Sequence, residues 1–179
     1  IPNRLARFLA FMDLESHKTD LGQQQFRAQL AFGEGGIFGL GLGEGREKMM
    51  YMSYAHTDFI FPMIGEELGL IGSLSVVFIF VLIVVFGALI AMQAPDRFGK
   101  LLGFGVVMLI CLQAVINIGV TTAVLPNKGL PLPFVSYGGS NLLFCLLGIG
   151  LLLNIYRQGR EPSEESYPRI LKQKLTPRV

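Results

Sequence analysis

Three stretches of the chain, residues 69–92, 101–125 and 134–156, contain no Asp, Glu, Lys or Arg. Each exceeds the roughly 20 residues that a helix needs to cross a hydrocarbon core about 30 Å thick, so three transmembrane helices are predicted. Ahead of them the pattern is mixed. Leu5, Phe8, Leu9 and Met12 recur at helical spacing beside Arg4 and Arg7 until the cluster His17-Lys18-Thr19-Asp20 breaks the periodicity, and a second short amphipathic helix is predicted over residues 22–32. It runs into a segment, residues 33–45, that alternates glycine with apolar residues and so permits positive φ and close backbone approach. This segment has neither of the glycine-rich phosphate-loop spacings. A flexible loop at the membrane interface, or one cradling a polar headgroup with its N–H groups, is expected.

Two irregular features flank the spans. Pro62 lies between Asp58 and the acids Glu66-Glu67 and removes a backbone donor, so a kink is expected there. On an unbroken helix Asp58 and Glu66 would share a face; otherwise Glu66 and Glu67 read as acids favoured at a helix N-terminus. Between the last two spans, Pro126, Pro131 and Pro133 fall within eight residues and Gly138-Gly139 permits a tight bend, so regular helix should resume only near Ser140. Non-helical backbone at membrane depth must be buried in protein or line a wet cavity. In the middle span Gln113, Asn117 and Thr121 form a polar stripe at i, i+4 and i+8, with Thr122 beside it. Such amides need partners; interhelical adhesion is the simpler reading and a polar cavity the other.

Composition agrees with a membrane protein: 51% of residues are hydrophobic, 16% are charged, and the mean hydropathy is +0.53. A net charge of +2 is too small and too scattered to suggest nucleic acid. The basic residues matter by position. Arg157, Arg160, Arg169, Lys172, Lys174 and Arg178 crowd the tail, and Arg97 and Lys100 occupy the first link, whereas the second link holds only Lys128. Positive residues favour the cytoplasmic side, which puts the tail and the Arg97 link inside. The Lys128 loop and residues 1–68 are then outside, although Arg4, Arg7, Lys18, Arg27, Arg46 and Lys48 in the N-terminal segment vote the other way. Residues 158–179 read as a disordered cytoplasmic tail able to touch anionic lipid. Cys111 and Cys145 fall in spans and suggest neither a disulfide nor a metal site. The chain opens at Ile1 and reads as a piece of something longer, whose further helices would complete any cavity.

On this topology Asp58, directly ahead of the first span, is an ionisable group beside hydrocarbon on the outer side. An acid so placed is a functional candidate by default, the alternative being a solvated carboxylate at the headgroup level. The irregular segment of residues 126–140 lies on the same side, and two such elements on one face suggest one site.

The blocks Ala55-His56-Thr57-Asp58-Phe59-Ile60-Phe61, followed by Ile64-Gly65-Glu66-Glu67-Leu68-Gly69, and Leu125-Pro126-Asn127-Lys128-Gly129-Leu130-Pro131-Leu132-Pro133-Phe134-Val135-Ser136-Tyr137-Gly138-Gly139-Ser140, closely resemble the FtsW/RodA (SEDS) family of bacterial membrane proteins. The resemblance covers the chain apart from the tail, and Lys128 and the His56-Thr57 context are closer to the division branch than to the elongation branch. It implies an all-α polytopic fold of about ten helices, of which this chain is the C-terminal part: a large extracellular loop with short amphipathic helices, residues 1–68, then three transmembrane helices, residues 69–157. It also implies a peptidoglycan glycosyltransferase that polymerises lipid II outside the bacterial cytoplasmic membrane, at the division septum, beside a class B penicillin-binding transpeptidase and other divisome membrane proteins. The family's catalytic acid falls on Asp58. Met52-Ser53-Tyr54 stands where members commonly show Leu-Pro-Glu, and Arg27 replaces a usual Gln, which puts loop contacts in doubt.

An α-linked donor giving a β-linked strand inverts at the anomeric carbon. One carboxylate acting as general base on the attacking 4-hydroxyl can contribute about 10²–10⁴ in rate. The pyrophosphate leaves readily once its charge is neutralised. Arg46, Lys48 and Lys128 are the candidates by location and Arg4 and Arg7 the weaker ones. No cofactor is required, and a divalent cation could substitute. His56, Thr57, Glu66, Ser136, Tyr137, Gly138, Gly139 and Ser140 complete the expected substrate-binding set. Two other functions fit the same pattern: a transporter flipping the lipid-linked precursor, suggested by the polar stripe and broken segments, and a non-catalytic divisome scaffold. The fragment by itself is expected to be inactive.

Overall fold

The computed structural model describes residues 22–45 and 58–160. Among these residues the chain is wholly helical: α1, Gln23–Gly35; α2, Ile60–Met92; α3, Arg97–Thr121; and α4, Gly139–Arg160. The last three are long and apolar enough to cross a membrane. Regular helix resumes at Gly139, as the glycine pair and the preceding prolines predict.

The first span starts earlier than its charge-free run, at Ile60 instead of residue 69, so it crosses the expected boundary between outer loop and membrane segment. Pro62 does not kink it. It sits fully buried in the first turn, where its missing N–H would have had no intrahelical acceptor anyway. The break falls at Gly69, with φ 68° and ψ −163°. Glu66 and Glu67 accordingly lie just before that break and not in the first turn, and Asp58 precedes the helix instead of sharing a face with Glu66.

The glycine-rich segment explains the break. The N–H groups of Leu40 and Gly41 donate to the carbonyls of Glu66 and Glu67 (3.0 and 3.1 Å), and the N–H of Leu70 donates to Gly36 (2.9 Å). The loop thus serves as a staple for the interrupted helix, and these N–H groups are not offered to a headgroup. The approach requires glycine on both sides. A Cβ at Gly39 would overlap the Glu67 carbonyl, and one at Gly69 would overlap the backbone of Ile37 and Gly39.

Packing between the spans follows the same economy. A Cβ at Gly87 would meet Val107, and one at Gly103 would meet Ala91 at 2.8 Å, so small residues let α2 and α3 close on each other. Phe61, Phe80, Ile110, Ala114 and Leu132 form the core beneath the end of the bundle that carries Asp58. Phe32 of α1 sits edge-on to Phe61, with ring centroids 5.6 Å apart. Asp96 caps α3 by accepting the Gly99 N–H at 3.1 Å. The last turn of α4 reaches the α2–α3 link, where a Cβ at Gly159 would lie 2.6 Å from the Gln93 carbonyl oxygen. Arg97, Lys100, Arg157 and Arg160 therefore gather at one end, while Asp58 and the proline-rich segment occupy the other.

Candidate active site

The end of the bundle that carries Asp58 is built from backbone that cannot satisfy itself. Prolines at 126, 131 and 133 remove three donors, yet their neighbours still present carbonyls, and Leu132, Pro133 and Ser136 are buried. Side-chain amides supply what is missing. Gln113 Nε2 donates to the Pro131 carbonyl at 2.8 Å and to Asn141 Oδ1 at 2.8 Å. Asn117 Nδ2 donates to the Leu130 carbonyl at 2.6 Å and to the Asp58 carbonyl at 2.8 Å. Thr121 turns back onto its own helix, donating to the Asn117 carbonyl at 2.9 Å. Gln25 of α1, only 1% exposed, donates to Val120 and Leu125 at 3.0 and 2.8 Å. Asn127 reaches Gln24 at 3.3 Å. The stripe is thus adhesion, and what it holds is the segment opposite Asp58.

The end of α3 prepares that segment. Ala123 takes a left-handed φ of 56°, and the N–H groups of Val124 and Leu125 both donate to the Gly119 carbonyl at 2.8 Å. Past the prolines, Ser136 closes a turn: its Oγ accepts from the Leu132 N–H at 2.7 Å and its own N–H donates to the Leu132 carbonyl at 3.0 Å.

Asp58 lies half-buried just before α2, between these elements. A Cβ built on Gly129 would stand 2.6 Å from Asp58 Oδ2, so the carboxylate lies directly against the glycine of the loop. Burial withdraws water from the carboxyl and raises its pKa above the usual 3.8. A carboxylate so placed holds a proton more readily than an exposed one, the direction a general base needs.

The remaining candidates divide. Lys128, next to Gly129, is exposed. Tyr137, Gly138 and Gly139 line a groove of about 690 Å³ with Ile60, Phe134 and Leu142. Tyr137 projects into the open at 83% exposure, and Ser140 is exposed in the first turn of α4. Ser136 lines the same groove, but its hydroxyl is engaged in the turn. Glu66 is fully buried on the side of the glycine staple, where a Cβ at Gly45 would be 3.1 Å from its Oε2. Arg46, Lys48, His56 and Thr57, like Arg4 and Arg7, lie outside the described residues. Among the described residues no group of three or more His, Cys, Asp or Glu is arranged to hold a metal ion. Gly129 stands in the block that carries the family resemblance but is not among the site candidates, because nothing in a loop glycine says which side chain lies against it.

Comparison with known proteins bears on this geometry directly. The family described as cell cycle protein, FtsW/RodA/SpoVE, matches residues 2–161. The chain belongs to that family. It is 49% identical over 152 residues to the probable peptidoglycan glycosyltransferase FtsW of Geobacter metallireducens, covering 85% of this chain and 40% of that protein. It is 40% identical over 176 residues to the probable peptidoglycan glycosyltransferase FtsW of Bacillus subtilis, covering 96% of this chain and 44% of the relative. The stage V sporulation protein E of the same organism is 40% identical over 159 residues, covering 89% of this chain and 43% of its own length. Among solved structures, a chain from a peptidoglycan synthase complex that coordinates polymerization and crosslinking superposes with a TM-score of 0.69 at 28% identity, covering 90% of this chain and 44% of that one. The chain thus spans about two fifths of the length of these relatives.

Proposed function

We propose that this chain is the C-terminal, catalytic-acid-bearing part of an FtsW/RodA/SpoVE glycosyltransferase that polymerises lipid II on the outer face of the bacterial cytoplasmic membrane. One observation carries the reading: the half-buried Asp58 carboxylate, its pKa raised by desolvation, against Gly129 at the end of the bundle away from the basic links. The names of the relatives support the substrate class. Asp58 takes the proton from the acceptor's 4-hydroxyl as that oxygen attacks the donor's anomeric carbon from the face opposite the pyrophosphate. Carbon–oxygen bond formation and departure of the lipid pyrophosphate proceed with inversion. The leaving group carries its charge away, so no second acid is required of the chain. Lys128, exposed beside Gly129, is the described residue suited to meet that charge, with Arg46 and Lys48 as further candidates. A divalent cation would serve the same end.

The groove beside Tyr137, Gly138 and Gly139 is suited to a sugar or lipid moiety of one substrate. Action at the septum beside a class B penicillin-binding transpeptidase and other divisome proteins extends the same reading; the related peptidoglycan synthase complex supports a transpeptidase partner. The transporter alternative draws no support from the polar stripe, whose amide donors are engaged in holding the loop.

The test is full-length protein with its transpeptidase partner, given lipid II, comparing wild type with Asp58→Asn. The variant should insert and purify normally and form no glycan strands. Polymerisation by Asp58→Asn at the wild-type rate would remove Asp58 from the reaction.

A further inference from the structure

We infer that Asn117 and Gly129 form a two-part positioning device for the Asp58 carboxylate, Asn117 fixing the distance between two segments and Gly129 leaving the carboxylate its place. The inference rests on the glycosyltransferase reading and adds to it two residues to which that reading gives no role. Asn117 is 1% exposed on α3, with one nitrogen shared between the Asp58 carbonyl at 2.8 Å and the Leu130 carbonyl at 2.6 Å. These two acceptors belong to the segments that carry the carboxylate and its facing glycine, so a single amide ties both to the rigid middle span. The amide oxygen is buried without a hydrogen-bond partner among the described residues. That orphaned acceptor is a cost, and an apolar residue would avoid it; what the amide alone provides is the bridge.

Gly129 is the other half. It is exposed and is not in the positive-φ region, so neither packing nor backbone conformation asks for glycine there. The atoms that an added Cβ would meet are Oδ2 and Cγ of Asp58, at 2.6 and 3.7 Å. Among the described residues, alanine at 129 therefore acts on one thing, the position of the carboxylate. Misplacement by about 1 Å can cost on the order of 10² in rate.

The experiment uses full-length protein with its transpeptidase partner and lipid II, measuring kcat and KM for wild type, Asp58→Asn, Asn117→Ala, Gly129→Ala and the double variant. Gly129→Ala should unfold at the wild-type temperature yet lose about 10–100-fold in kcat, with KM within about threefold. Asn117→Ala should lose a similar factor in kcat. The double variant should lose clearly less than the product of the two, since both displace the same carboxylate. Wild-type kcat in Gly129→Ala, or fully multiplicative losses in the double variant, overturns the device. An Asn117→Ala loss that tracks unfolding, with Gly129→Ala unaffected, overturns it as well and leaves Asn117 a structural residue. If wild type polymerises and Asp58→Asn does too, the general-base reading fails first, which the Asp58→Asn arm reports separately.

Discussion

Gly69→Ala is the sharpest test of how the Asp58 end of the bundle is held. The residue has φ 68° and ψ −163°, a region that only glycine visits without strain, and the added methyl would stand within 2.7 Å of the Ile37 carbonyl carbon. Holding alanine in that conformation costs about 1–3 kcal/mol. Relieving the overlap means withdrawing the loop, and with it the bonds from Leu40 to Glu66, Gly41 to Glu67 and Leu70 to Gly36. Each contributes about 0.5–1.5 kcal/mol net, so losing two or three of them brings the total to roughly 2–7 kcal/mol. At about 2 °C per kcal/mol for a chain of this size, the expected fall in Tm is at least roughly 4 °C. Cys145, buried on α4, and the partly buried Cys111 on α3 allow a direct assay, in which a thiol-reactive fluorophore reports unfolding in detergent as the protein is heated. Gly105→Ala is the matched control. It sits in the interior of α3 with no atom within 4 Å of the new methyl, so it should be neutral or stabilise by up to about 1 kcal/mol. Equal unfolding temperatures for Gly69→Ala and wild type would refute the staple.

Gln25→Leu strands the buried carbonyl of Val120 and the part-buried one of Leu125 and should cost about 1–3 kcal/mol, read by the same thiol assay; a change below the measurement error would mean α1 is not anchored through this amide. Asp58 gives a pH signature. Its folded pKa lies above the ordinary 3.8, so below 3.8 both states are protonated and it contributes nothing, while stability falls as pH rises from 3.8 through the raised value. Asp58→Asn should therefore unfold at a higher temperature than wild type at pH 7, with the gap closing as pH drops below 3.8; a gap independent of pH would contradict the desolvation. The acidic limb of the polymerisation rate should likewise lie above 3.8, and a limb at or below it would argue against Asp58 as the base. Lys128→Ala, at an exposed position, should leave Tm within about 1 °C while lowering kcat/KM for lipid II by about tenfold or more, and unchanged kinetics would remove Lys128 from the leaving-group site.

What the sequence revealed and what it hid divide by the range of the interaction. Charge-free runs mark helices because the bilayer demands them, and all three spans were legible on that ground. The start of the first was not. Glu66 and Glu67 interrupt the apolar run, and what places them inside the helix is the glycine-rich segment far upstream, whose N–H groups bond to their backbone carbonyls while the Glu66 side chain is buried. The breaker was misjudged for a related reason. A proline announces a kink locally, but in a first turn it disturbs nothing, whereas the break at Gly69 depends on a partner that no local rule sees. The stripe of Gln113, Asn117 and Thr121 was visible at its spacing, and its need for partners followed from chemistry. That one partner would be the backbone carbonyl of Asp58 was not, because that contact joins segments 59 residues apart.

The two unusual features of the Asp58 end of the bundle are complementary halves of one solution. Three prolines stop the segment from forming a helix of its own, so the carbonyls of Leu130 and Pro131 are held by side chains from α3. The donors that meet them are amides, and the choice has a consequence for Asp58. A lysine or arginine at 117 would also bind two carbonyls, but its charge would sit at the backbone of the acid and pull the carboxyl pKa down. An amide fixes the same geometry while adding no net charge, so desolvation against Gly129 still sets the proton affinity. Position and basicity are thereby controlled separately: Asn117 governs where the carboxylate sits, and burial governs how tightly it holds a proton.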